Sequence, residues 1–125
     1  MKGYNRGDSR RAWIKLHING MLNGSVRYQL LPEERATWVD LLCFASLGNI
    51  PGLISDNDQR PYPRSFLANR FNISLELLNS TLAKCLDEGR IQETEQGLEI
   101  ANWKSYQSEY QRQAKYRRGG SRKEA

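Results

Sequence analysis

"RSFLANRFNISLELLNSTLAKCLDEGRIQETEQGLEI", residues 64–100, contains the change of rhythm that decides the fold. Phe66, Leu67 and Phe71 are the apolar anchors of a short helix that follows Pro63, and Asn72 can close it in the left-handed conformation. Ser74 then offers a hydroxyl as N-cap to a second, longer helix. Leu75, Leu78, Leu82, Cys85 and Leu86 recur at helical spacing and form its inner stripe, with Gly89 as the stop. Two helices joined by a tight turn, the second with an apolar seam, read as a helix-turn-helix. After Gly89 the period falls to that of a strand. Ile91 on one side and Leu98 and Ile100 on the other, separated by the polar, glycine-ended "ETEQG", predict a β-hairpin, and a hairpin in this position is a wing.

Toward the N-terminus, "IPGLISDNDQRPYP" (50–63) contains three prolines, which exclude a helix and leave a loop with one extended piece over residues 52–55. Asp56 and Asp58 resemble the opening of a calcium loop, but Arg60 and Pro61 follow, and the turn glycine and closing glutamate are missing. "LPEERATWVDLLCFASLG" (31–48) predicts the principal helix. Pro32 suits its first position, Glu33 and Glu34 face the free N–H groups of the first turn, and Gly48 can end it in the left-handed conformation. Its apolar residues cover more than one face, so it belongs at the centre of the core. "NGMLNGSVRYQL" (19–30) predicts one helical turn around residues 25–30. In "AWIKLHI" (12–18), Ile14, Leu16 and Ile18 alternate with Lys15 and His17, the pattern of a short half-buried strand.

The resulting order is strand, helix, strand, helix, helix, hairpin. It predicts a mainly α winged-helix domain over residues 12–103, preceded by a disordered basic arm (1–11) and followed by a basic amphipathic helix (104–118) and a short disordered tail (119–125). The chain has 125 residues, 38% hydrophobic and 26% charged, the composition of a soluble globular domain. No apolar run approaches the roughly 20 residues of a membrane span. No apolar h-region follows the first basic residues, so a cytoplasmic protein is expected and the Asn-X-Ser/Thr triplets carry no glycosylation meaning. Cys43 and Cys85 sit inside apolar helical patterns without metal-ligand spacing and read as small core residues.

The net charge of +5 is unevenly distributed. Residues 1–31 carry six Lys/Arg against one acid, residues 32–102 six against eleven, and residues 103–125 seven against two. Basic ends around an acidic middle are the footprint of a nucleic-acid or anionic-surface contact, or of solvated tails.

"WIKL", "LPEERATWVDLLCFA", "FLANRFNISLELLNSTLAKCLDEGRI" and "GLEIANWKSYQSEYQRQAKYR", in this order, resemble the N-terminal domain of phage replisome organisers and DnaD-like replication-initiation proteins, from residue 13 to about residue 117. The resemblance implies a winged-helix module that helps start DNA replication, by touching origin DNA or by holding together the proteins that load a helicase. Relatives often carry a second, C-terminal helical domain, and whatever function resides there is not carried over.

Candidate contacts follow from the faces. The outer side of the second helix presents Glu76, Asn79, Ser80, Ala83, Lys84 and Asp87. Asn79 could bond an adenine edge, Ser80 a base edge or phosphate, and Lys84 a phosphate or guanine, but the two acids repel a polyanion. In the wing, Glu93, Glu95 and Glu99 outnumber Arg90. Arg64, Asn69 and Arg70 on the first helix are better placed for phosphate. In "NWKSYQSEYQRQAKYRR" (102–118), Trp103, Tyr106 and Tyr110 form one stripe at helical spacing, expected to pack inward. Lys104, Arg112, Lys115, Arg117 and Arg118 are then left to an anion.

No catalytic constellation is visible. His17 is the one histidine, the pairs Glu33/Glu34 and Asp87/Glu88 diverge on their helices, and no phosphate-loop motif is present, so neither enzyme activity, cofactor nor metal is expected. Three readings remain. They are a DNA-binding replication-initiation protein, single- or double-stranded DNA being undecided; an interaction or homo-oligomerisation module for partners such as a helicase or its loader; and a sequence-specific transcription regulator.

Overall fold

The computed structural model describes residues 12–107. The elements, in chain order, are α1 (Ile18–Asn23), α2 (Ser25–Gln29), α3 (Pro32–Ser46), β1 (Leu53–Ile54), α4 (Arg64–Phe71), α5 (Leu75–Asp87), β2 (Ile91–Thr94), β3 (Gly97–Ile100) and α6 (Trp103–Gln107). The chain is mainly helical with one small antiparallel sheet of order β1-β3-β2.

α3 runs through the middle. Pro32 occupies its first position, and the Glu34 carboxylate accepts a hydrogen bond from the Leu31 N–H at 2.7 Å. Trp38, Leu41, Leu42 and Ala45 of α3 meet Leu67 and Ala68 of α4, Leu78, Leu82 and Cys85 of α5, and Ile91, Leu98 and Ile100 of the sheet, closing one core. Burial of such side chains stabilises by about 1.5–3 kcal/mol each before the ordering cost is set against it.

The helix pair forms as its residue types dictate. Asn72 ends α4 at φ 58° and ψ 47°, and the Ser74 hydroxyl accepts from the Leu77 N–H at 3.0 Å to cap α5. The hairpin follows, with Ile91 opposite Ile100 and Thr94 opposite Gly97. β1 lies on the other edge of β3, Ile54 opposite Leu98. Gly97 is held at φ 148°, and a Cβ there would lie 2.0 Å from the Ile54 carbonyl oxygen, so only glycine lets β1 close on β3.

Four expectations are corrected. The strand over residues 12–18 is not formed: residues 13–17 carry no regular structure and α1 begins at Ile18. The Gln107 side chain supplies the partner that a neighbouring strand would have supplied. Its Oε1 accepts from the Lys15 N–H at 2.9 Å and its Nε2 donates to the Lys15 carbonyl at 3.0 Å. The alternation does not set burial either, for Ile14 packs on the core whereas Leu16 and Ile18 are exposed. Gly48 does not take the left-handed conformation; it is small because a Cβ would come within 2.7 Å of the Leu53 carbonyl oxygen. Cys43 is exposed, while Cys85 is buried as its place in the stripe requires. In the C-terminal stripe, Trp103 is buried, but its inward companion is Gln107 rather than Tyr106, which is 47% exposed.

Residues 1–11 and 108–125, with the arm, most of the basic helix and the tail expected there, lie outside the described residues. Among the described residues no helix is long and apolar enough to cross a membrane.

Candidate nucleic-acid interface

The outer side of α5, where a helix-turn-helix would read bases, is largely committed to the protein itself. Arg64 donates from Nη1 to the Asn79 Oδ1 at 3.0 Å and pairs through Nη2 with the Glu93 carboxylate at 3.2 Å. Ser80 donates to Glu34 Oε2 at 2.9 Å, and the Lys84 ammonium pairs with Glu34 Oε1 at 2.7 Å. Three of the candidate reading residues, Asn79, Ser80 and Lys84, are thus tied to α4 or α3. Glu76, Ala83 and Asp87 are exposed on the same helix, as are Leu75 and Asn79, so the unpaired charge it offers solvent is acidic.

Glu34 is the hub of these ties and is almost completely buried. Burial alone would raise its pKa, but hydrogen bonds from Lys84, the Leu31 N–H and Ser80, with the Lys84 charge, outweigh that and hold the carboxyl below its ordinary value. A carboxylate at the third position of a helix reads equally well as a dipole partner, and nothing in the pattern of α3 marks it as the partner of α5. Sequence spacing therefore could not identify it as the group that consumes Ser80 and Lys84.

The hairpin is no better suited to phosphate. Glu93, Glu95 and Glu99 are exposed. Arg90 turns inward, donating to the Ser25 hydroxyl and pairing with Glu88, with its guanidinium 6.0 Å from the Trp38 ring centroid. Burial pushes the neighbouring Cys85 thiol up to about 11.

α4 differs. Asn69 and Arg70 are exposed, and the Arg70 guanidinium lies 5.5 Å from the Phe44 ring centroid, so its outer edge faces solvent above an aromatic surface. Lys104 is exposed on α6. Of the expected site residues, Arg64, Asn69 and Arg70 are brought together on one helix and Lys104 stands apart from them, while Arg112, Lys115, Arg117 and Arg118 lie outside the described residues.

Asp56 is a turn residue: its carboxylate accepts from the N–H groups of Asp58 and Arg60 at 2.8 and 2.9 Å. Among the described residues no group of three His, Cys, Asp or Glu side chains is placed to hold a metal ion. His17 is engaged in packing α6, its Nε2 3.1 Å from the Tyr106 carbonyl oxygen and its ring edge-on to that of Tyr106.

The family model described as the N-terminal phage replisome organiser matches residues 13–125. The chain belongs to that family. No curated protein and no solved structure matches it.

Proposed function

We propose that this member of the phage replisome organiser family is a DNA-binding module of phage replication initiation, built as a winged helix whose customary reading helix is turned to internal use. The observation that carries the reading is the engagement of Asn79, Ser80 and Lys84 by Arg64 and Glu34, which leaves α5 with exposed acids. Contact then falls to the outer side of α4, through Asn69 and Arg70, and to the basic segments at either end of the chain. Binding of this kind is tolerant of sequence, because phosphate contacts carry no base information. Consensus-directed transcriptional regulation is correspondingly disfavoured. The module is read as non-catalytic and cytoplasmic.

The test is a titration of short single- and double-stranded DNA at about 50 and about 200 mM salt. The full chain is compared with one ending after Tyr110. Affinity is expected to fall more than tenfold across that salt range, since several phosphate contacts each release counterions, and to fall again on truncation. A truncated chain that binds as tightly as the full one would remove the C-terminal segment from the interface.

A second reading, a docking module for a replication protein such as a helicase loader, is favoured by a specific observation. Leu16, just before α1, and Ile18 and Leu22 within it are exposed, Ile18 at 75%. Sedimentation tests the self-associating form of this reading, which a strict monomer at high concentration would exclude.

A further inference from the structure

Residues 59–75 hold three arginines and no acid, the one long stretch of that kind in the acidic middle of the chain. Three rings of the same stretch and Phe44 of α3 form an aromatic ladder. Tyr62 and Phe66 are stacked with centroids 4.5 Å apart and 11° between their planes. Tyr62 meets Phe44 at 5.6 Å, and Phe44 meets Phe71 edge-on at 5.7 Å with Arg70 above it. The inner rungs are half-buried and belong to the edge of the core; Phe66, the outer rung, is 43% exposed.

We infer that Phe66 and Tyr62 form a stacking platform for single-stranded nucleic acid, with an unpaired base on the open side of Phe66 and a flanking phosphate at Arg70. This rests on the DNA-binding reading above and adds to it the form of the DNA and the place of contact. Three arguments lead to it. Phe66 already has one side engaged by Tyr62, so the ring is fixed before any ligand arrives, and a base added outside extends a stack that exists. Phe66, Asn69 and Arg70 share one side of α4 at three- and four-residue spacing, which sets an aromatic surface next to an amide and a cation. An open groove of about 470 Å³ lined by Ser65, Phe66, Asn69, Ile73 and Leu75 begins at this ring.

Strand form follows from the stacking itself. In a duplex each base is covered above and below by its neighbours, so Phe66 has nothing to cover; an unpaired base has a free side. The direction is set by charge. Toward the hairpin, Glu93 neutralises Arg64 and Glu95 stands exposed, so a strand is favoured on the Asn69 and Arg70 side.

The test uses the full chain and measures binding of oligothymidylate of about 15 nucleotides, of a duplex, and of an abasic oligomer of the same length. Phe66→Leu keeps the apolar bulk and removes the ring. It is expected to weaken oligothymidylate binding about tenfold while leaving the duplex and the abasic oligomer unchanged. Phe66→Trp keeps a ring, and is expected to retain affinity with its added fluorescence quenched by oligothymidylate. This second readout holds whether or not the leucine variant folds. Unchanged binding of oligothymidylate by Phe66→Leu, an equal loss on the duplex or the abasic oligomer, or an unquenched signal from Phe66→Trp with binding retained would each overturn the platform and leave the DNA-binding reading standing. A wild-type chain that binds none of the three would overturn both.

Discussion

The Glu34 carboxylate accepts from the Leu31 N–H, from Ser80 and from Lys84, so one acid fastens the start of α3 to the outer side of α5. Glu34→Gln keeps the shape but cannot serve all three donors. Calorimetry should show a loss of about 1–3 kcal/mol, the range for leaving a buried polar group without its partner, with Lys84 able to turn to water and soften the effect. The pH dependence has a definite sign. Because the folded pKa of Glu34 lies below its ordinary value of 4.5, its contribution is complete above that value and is lost as the pH falls through the lower folded one. The difference in stability between wild type and Glu34→Gln should therefore shrink as the pH is lowered below 4.5. At this scale the residue types with special backbone or capping behaviour were legible: Asn72 at positive φ and Ser74 as a cap sit where their chemistry predicts. Glu34 was not, because two of its partners, Ser80 and Lys84, come from a helix more than forty residues away and spacing carries no trace of them.

Among the elements, the helix pair and hairpin were readable because each is specified by its own residues: a leucine stripe, a capping serine, and a polar turn ending in Gly97. The segment before α1 was not. Its apolar alternation is a strand pattern, but a strand needs a partner, and the partner is the amide of Gln107, 92 positions along the chain. Such pairing satisfies the Lys15 backbone without making a ladder. Gln107→Ala removes both bonds and leaves a partly buried N–H and carbonyl to find water. It should cost about 1–3 kcal/mol and speed hydrogen exchange at Lys15 far more than at Leu41 in α3. Gly48 shows the converse case, a correct glycine with a different reason, since steric approach by Leu53 rather than backbone sign fixes it.

For the whole molecule, the charge distribution was the most legible part of the candidate site, since it is a count along the chain. Which charges remain available was not legible, because Arg64 and Lys84 are paired with acids, Glu93 and Glu34, that only the folded chain brings near. Residues 1–11 carry four Lys/Arg against one acid, and residues 108–125 carry six against two. Deleting either segment should raise the Kd for DNA by about tenfold at low salt, and deleting both should multiply the two losses, as titrations of the three shortened chains would show.

The bonds between Gln107 and Lys15 bear on that multiplication. They fasten the last described turn to a point three residues from the first described residue, so both basic segments are rooted at the same pole. On the DNA-binding reading proposed above, a polyanion that met one segment would therefore lie close to the point from which the other starts, and the second contact would be governed by that proximity rather than by the concentration of protein in solution. One glutamine thereby brings the starting points of two cationic stretches, far apart in sequence, to one end of the described chain.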